Sequence, residues 1–76
     1  FYQESQNMKK AELEGKWKDE NDFVHTCFYD GTMKKFVIFI HNRLGQYCSS
    51  YSYSKKDAIK QLSGMKKIDS LIWTKF

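Results

Sequence analysis

The sequence predicts an α+β domain with a mostly antiparallel sheet, and three observations lead to that class. Thirteen of the 76 residues are aromatic and none is proline, which is typical of a core built on a pleated sheet. From residue 23 onward, short apolar or alternating segments are separated by turn residues, which favours strands. One segment, 55–63, instead carries helix start and stop signals. We therefore expect a single domain, residues 1–76, with about four strands in an open sheet or a small barrel.

Charge separates an acidic N-terminal segment, residues 1–22, from a basic core, residues 23–76. Residues 1–30 carry seven acidic side chains against four lysines, a net charge of −3, whereas residues 31–76 carry +7. Such asymmetry is typical of a surface that meets an acidic partner, and also of lysines that only keep a small domain soluble. The longest apolar run has five residues, far fewer than the roughly 20 of a membrane-spanning helix.

In the acidic segment we expect a short helix over residues 5–14, with Ser5 as its N-cap and Gly15 as its stop. Trp17 follows, and the polar residues 18–22 are predicted to form a loop.

The basic core is predicted to have the order β-β-β-α-β. Residues 23–29 form the first strand, and Asp30-Gly31 is predicted to make a tight hairpin turn in which glycine accepts a positive φ. Residues 33–41 form the second strand and residues 46–53 the third.

The second strand is apolar on both faces, since side chains alternate along a strand. Its two faces carry Phe36, Ile38 and Ile40 on one side and Val37 and Phe39 on the other. A chain this small has difficulty covering both faces. We therefore expect a homo-oligomer whose interface includes this sheet or the last strand.

The clearest element is the helix over 55–63. Ser54 is its predicted N-cap, Asp57 completes a short capping box, and Gly64 ends it. A last strand is predicted over residues 68–74.

The residues best suited to binding are tyrosines next to basic side chains. In the third strand, alternation places Tyr47, Tyr51 and Tyr53 on one face, beside the first turn of the helix. Aromatic rings flanked by positive charge suit stacked bases and also sugar rings. The complete predicted binding set is Tyr47, Tyr51, Tyr53, Lys55, Lys56, Lys60, Arg43 and Trp73.

No catalytic or metal-binding pattern is strong. Two pairs, His25 with Cys27 and His41 with Cys48, have the ligand types of a zinc site but not the usual spacing. A thiol nucleophile would also need an oxyanion-hole motif, which is not recognisable. The acidic residues 19–22 lack the alternation of a calcium loop. We expect no metal, no cofactor and no enzymatic activity.

A disulfide between Cys27 and Cys48 depends on how the strands pair. In a plain three-stranded meander the first and third strands lie about 9.5 Å apart, whereas a disulfide requires Cα atoms within about 7 Å. The sequence therefore leaves formation of this disulfide undecided. The disulfide is expected only if the protein is exported to an oxidising compartment. A chain beginning at Phe1 is consistent with removal of a secretory signal. Alternatively Met8 is the start, and residues 1–7 come from a vector. We favour the secreted interpretation over the cytoplasmic one.

Two families have similar patterns. The order of strand, Asn-containing turn, strand, helix from Ser54 and final strand through Thr74 resembles the OB-fold B subunits of pentameric bacterial A-B toxins. That resemblance implies an exported, disulfide-containing ring that binds host glycans without catalysis. The segment 35–62, with Tyr-Ser-Lys-Lys-Asp-Ala at 53–58, resembles the arm-binding domains of phage integrases. That resemblance implies a sheet that enters the major groove of DNA.

The leading hypothesis is a small, exported, non-enzymatic binding protein that engages a host macromolecule or surface glycan through its basic, tyrosine-rich face. The first alternative is an intracellular nucleic-acid-binding module that uses the same face. The second is a small inhibitor that docks on an acidic enzyme surface.

Overall fold

The fold is a five-stranded antiparallel sheet with helical segments on one face. The computed structural model describes residues 9–69, apart from the side chain of Ala11. In chain order the elements are α1 (Lys10–Leu13), β1 (Gly15–Lys18), β2 (Val24–Asp30), β3 (Lys35–His41), β4 (Tyr47–Tyr53), α2 (Lys55–Leu62) and β5 (Lys66–Asp69). The sheet order is β4-β3-β2-β1-β5. The predicted α+β class is confirmed, but the sheet is open and has one strand more than expected.

The extra strand is β1, in a region predicted as the end of a helix and a loop. It pairs with β2 on one side and with β5 on the other. A Cβ at Gly15, which has φ 147°, would collide with the carbonyl oxygen of Asp69 and the side chain of Lys67. The glycine predicted to stop a helix thus lets two strands approach closely. Of the helix predicted over 5–14, residues 5–8 lie outside the described residues, and only the single turn α1 is helical.

The helix α2 forms where it was predicted. The Ser54 hydroxyl accepts a hydrogen bond from the Asp57 amide at 3.3 Å, and Gly64 adopts a positive φ of 85° after the last turn. These local contacts satisfy backbone groups at both helix ends.

Both helical segments pack on the same face of the sheet, which we call the covered face. The fully buried residues there are Leu13, Cys27, Phe36, Ile38, Ala58 and Leu62. Trp17 packs beside them and donates its indole N–H to the Leu13 carbonyl at 2.9 Å. The alternation predicted for the second strand is confirmed, because its Phe36 and Ile38 side chains enter this core.

The β2–β3 turn differs from the prediction. Four residues, 31–34, connect the strands, since Asp30 pairs with Lys35. The Asp30 carboxylate accepts hydrogen bonds from the amides of Thr32 and Met33. Lys34, rather than Gly31, takes the positive φ, at 56°. The aspartate cap therefore determines the turn, and the expected tight Asp-Gly turn does not form.

The last strand is described only over Lys66–Asp69. It starts two residues earlier than predicted, and the rest of the predicted strand, including Trp73, lies outside the described residues. None of the helices in the described part of the chain is long and apolar enough to cross a membrane.

Candidate functional site: the open face of the sheet

The face of the sheet opposite the helices is the candidate site, and we call it the open face. Side chains directly opposite one another in paired strands share a face, so the strand registers define rows across it. One row crosses all five strands at the end of the sheet that carries the turns 19–23 and 42–46. We call it the rim row, and it consists of Tyr47, His41, Val24, Lys18 and Lys66. Four inter-strand spacings give it a length of about 19 Å.

Aromatic rings occupy the β2–β4 half of the open face. Phe28 and Phe39 stack with their ring centroids 5.4 Å apart. Phe39 also contacts Tyr47 at 6.4 Å, and Tyr47 contacts His41 edge-on at 5.9 Å. Tyr47 is 59% exposed, while the phenylalanines are half-buried. The result is a continuous aromatic surface over three strands, which we call the aromatic cluster (Phe28, Phe39, His41 and Tyr47).

Two lysines form the other end of the rim row. Lys18 of β1 and Lys66 of β5 are direct cross-strand neighbours, and both are exposed. Like charges directly opposite each other destabilise a sheet. An anion bound between the two ammonium groups would relieve that repulsion.

The tyrosines of β4 do not share a face as predicted. Ser49 pairs with Ile40 but Tyr47 pairs with His41, so a bulge at Cys48 breaks the alternation. Tyr47 therefore lies on the open face, whereas Tyr51 and Tyr53 lie on the covered side. A bulge changes which side chains share a face, and no residue in this segment signals one.

Tyr51 and Tyr53 lie next to the first turn of α2, which carries the exposed Lys55 and Lys56. The two tyrosine rings are 6.1 Å apart, and Tyr51 is 50% exposed. Burial, then the neighbouring Tyr51 and Asp57, raise the pKa of the Tyr53 hydroxyl above its ordinary value. These four residues, Tyr51, Tyr53, Lys55 and Lys56, form a second surface that we call the helix corner. Lys60 lies further along the same helix and is exposed.

Arg43 belongs to neither surface. It is exposed in the β3–β4 turn and lines a shallow depression with Glu20, Asp22 and Phe23 of the β1–β2 loop. The predicted binding residues are thus divided among the open face, the helix corner and this acidic end. Trp73 lies outside the described residues.

The disulfide between Cys27 and Cys48, which the sequence left undecided, does not form. Cys27 of β2 is fully buried, Cys48 of β4 is exposed, and both thiols are free. The strands form a meander in which β3 lies between β2 and β4, the arrangement for which the expected separation is too large. Burial and, to a smaller extent, the Glu14 carboxylate raise the pKa of the Cys27 thiol to about 12.

The histidines lie on opposite faces, since His25 pairs with Ile40 and His41 pairs with Val24 and Tyr47. His25 Nε2 lies 2.9 Å from the Asp19 carboxylate. Asp19 also accepts hydrogen bonds from the amides of Asn21 and Phe23. Burial acts to raise the pKa of Asp19, but these hydrogen bonds outweigh it and lower the pKa. Within residues 9–69, no cluster of side chains could hold a metal ion.

Four residues of the candidate site were not selected from the sequence: Lys18, Lys66, Phe28 and Phe39. The alternation of Val24, Thr26 and Phe28 with Cys27 contained the signal for the aromatic pair. The sequence contained no local signal for the pair of Lys18 and Lys66, because the pair depends on two strands that are far apart in the chain.

No protein-family model, characterised protein or solved structure matches this chain. The resemblances to toxin B subunits and integrase arm-binding domains therefore stay predictions.

Proposed function

We propose that this protein is a non-enzymatic binding protein that holds single-stranded nucleic acid on the open face of its sheet. The observation that carries the proposal is the rim row, which joins the aromatic cluster to an exposed pair of like charges on a surface that no element within residues 9–69 covers. Bases need flat apolar partners and phosphates need cations, and the row offers both.

The aromatic cluster suits unpaired bases. Base–aromatic stacking contributes about 1–3 kcal/mol per base and tolerates different sequences. The cluster spans three strands, roughly 10 Å, a length comparable to two or three stacked bases. Tyr47 is the most accessible of its rings, and its edge-on contact with His41 supports it from one side.

The lysine pair suits the phosphate backbone. Lys18 and Lys66 lie at the opposite end of the same row from Tyr47, so a strand that lies along the row brings its phosphates to them. A neutral sugar would stack on the rings but would leave the two charges uncompensated. This difference favours nucleic acid over a neutral glycan.

The helix corner supports a second candidate function, which is binding of an acidic glycan or an acidic protein surface on the other side of the sheet. Its basis is the half-exposed Tyr51 ring next to Lys55 and Lys56. This candidate retains the exported glycan-binding and inhibitor hypotheses. The unbridged thiols give no support to the disulfide on which the export hypothesis drew.

Salt-dependent binding tests the proposal. Binding of oligothymidine and oligouridine is titrated from low to physiological salt for the parent, for Lys18→Ala/Lys66→Ala and for the matched control Lys55→Ala/Lys56→Ala. Both double variants lose two positive charges. Each phosphate contact on a single strand contributes about 0.7 to the slope of log affinity against log salt concentration. We therefore expect this slope to be less steep by about 1.4 in the first variant than in the parent. The control should have the slope of the parent.

A second pair of variants tests stacking. Tyr47→Ala removes the exposed ring from the open face, and Tyr51→Ala removes a comparably exposed ring from the helix corner. We expect a loss of about 5- to 150-fold in affinity for the first, from about 1–3 kcal/mol of stacking, and little change for the second. The opposite result in both pairs would move the site to the helix corner. Absence of binding even at low salt would exclude nucleic acid, and an array of acidic glycans would then be tested.

A further inference from the structure

The two edges of the sheet differ in how they are protected. An edge strand presents unpaired backbone amides and carbonyls, and proteins usually block such strands with charges, proline or short length. At one edge, β5 has only four described residues, of which Lys66, Lys67 and Asp69 are charged. At the other edge, β4 has seven residues and neither a charge nor a proline.

The exposure of β4 confirms that this edge is accessible. Five of its seven residues are exposed, and only Ser49 and Tyr53 are half-buried. Its neighbour in the sheet is β3, and within residues 9–69 no other element pairs with it. Its one irregularity is the bulge at Cys48, close to the β3–β4 turn. As far as residues 9–69 are concerned, the regular part, residues 49–53, therefore has an outer edge at which another strand can pair.

We propose that β4 pairs antiparallel with β4 of a second copy of this chain, forming a ten-stranded sheet across a two-fold axis. The first argument is charge. The chain has a net charge of +4, so two copies repel each other over most of their surfaces. Of the two described edges, only β4 carries no charged residue at all, so pairing there places no charge in the interface.

The second argument is the pattern of side-chain sizes. The strand reads Tyr-Cys-Ser-Ser-Tyr-Ser-Tyr. When this sequence is reversed against itself about Ser50, the central positions pair small side chains with each other or with Tyr51, and Tyr47 lies opposite Tyr53 only at the ends. Small–large pairs fit at the centre, and aromatic cross-strand pairs are favourable.

The third argument is closure. Pairing β4 with β4 uses both unprotected edges, and the lysine-bearing β5 edges become the ends of the assembly. A two-fold interface stops at two copies, unlike pairing of β4 with a different edge, which would continue into a filament.

The regular ladder is short, so the dimer should be weak. Five residues per copy bury less than the roughly 1,000 Å² of a stable interface. We expect a dissociation constant on the order of 100 µM.

Sedimentation from roughly 10 µM to 1 mM, a range that brackets the expected constant, tests the proposal. The parent should shift from monomer to dimer. Ser52→Lys places a charge on the edge and should weaken association at least about tenfold. The matched control Ser63→Lys adds the same charge at the exposed C-cap of α2 and should leave association unchanged apart from the small effect of net charge. Circular dichroism of both variants confirms that each is folded.

A cysteine scan identifies the interface. In a Cys48→Ser background, single cysteines are placed at Ser49, Ser50, Tyr51 and Ser52 and mildly oxidised. The residue nearest a two-fold axis lies opposite itself, about 4.5–5.5 Å away between Cα atoms, so one position should form a disulfide dimer much faster than the others. Addition of Ser63→Lys should not slow that reaction.

If the parent protein stays monomeric at the highest concentration, the proposal is wrong. The β4 edge would then be a candidate for pairing with a strand of a different protein. A dimer that forms without fast cross-linking at any scanned position would also overturn the proposal, because the interface would then lie elsewhere. Neither sedimentation nor cross-linking depends on nucleic-acid binding. The experiments can therefore exclude the dimer without excluding the proposed function, and the reverse also holds.

Discussion

The two faces of β3 show that neighbouring apolar residues in one strand have different roles. Phe36 and Ile38 are each 1% exposed beneath the helices, whereas Val37 and Phe39 are half-buried on a face that no described element covers. Burial is worth about 25 cal/mol per Å² of apolar surface, so the covered face holds the fold together. The open face, where these side chains are only half-buried, contributes less to folding.

The largest expected effect is a difference in stability between two adjacent truncations. Ile38→Ala empties space in the core and should lower the free energy of unfolding by about 3–4 kcal/mol. Val37→Ala removes a half-buried side chain and should cost about 1 kcal/mol or less. Urea denaturation measures both. Equal losses would mean that the open face is as well packed as the core, and the comparison would fail.

Gly15 is expected to give the next largest effect, since it joins β1 to β5. Gly15→Ala should cost about 2–3 kcal/mol, because alanine rarely adopts the φ of 147° and its Cβ would push Asp69 away. Gly31→Ala is the matched control, with open space around the added methyl group and no positive φ. It should be neutral or stabilise by up to about 1 kcal/mol. Thermal unfolding of the two variants tests the difference, and similar melting temperatures would contradict it.

Elements with local signals were predictable from the sequence, and elements defined by distant pairing were not. Ser54 and Gly64 determine the ends of α2 through contacts within a few residues. The alternation along β3 revealed both faces. In contrast, β1 has only four residues and is stabilised by strands on both sides.

The candidate site followed the same rule. Tyr47 was predicted to share a face with Tyr51 and Tyr53, which is wrong because of the bulge at Cys48; its binding role stays a prediction. The pairing of Lys18 with Lys66 crosses 48 positions of the chain, and no local pattern predicts it.

The two thiols extend the comparison between a covered and an accessible position. The raised pKa of Cys27, about 12 against an ordinary 9.0, reduces its thiolate fraction near neutral pH by about a thousandfold. Native protein should therefore react with a thiol reagent at Cys48 alone, and unfolded protein at both. Fast labelling of two thiols in the native state would contradict the burial of Cys27.

The same pKa shift predicts a loss of stability in alkali. The unfolded chain releases the Cys27 proton near pH 9.0, whereas the folded chain holds it until about pH 12. Stability from this group is therefore complete below pH 9 and falls as pH rises, by up to about 1.4 kcal/mol per pH unit. Cys48→Ser should keep this pH dependence. In Cys27→Ala, unfolding in alkali should release about one proton fewer than in the parent. Identical alkaline slopes for the two variants would exclude Cys27 as the source.

The smallest expected effect concerns the end of the covered face, where Asp19 meets His25. The side chains are 23% and 13% exposed, so solvent screens the pair only in part, and a single contact of this kind makes a modest contribution. Because the folded pKa of Asp19 is lowered below 3.8, its stabilisation is present above that pH and is lost as pH falls through the folded value. Asp19→Asn should cost about 0.5–1 kcal/mol at neutral pH, and the difference from the parent should shrink in acid.

The neighbouring Asp22→Asn is a matched control for this variant. Asp22 is exposed and has a φ of 67°, which asparagine also tolerates, so its replacement removes the same charge from the same loop. Urea denaturation at neutral pH and near pH 3 should show a pH-dependent loss for Asp19→Asn and none for Asp22→Asn. Equal losses in both variants would mean that the charge of the loop, rather than the contact with His25, stabilises this end of the sheet.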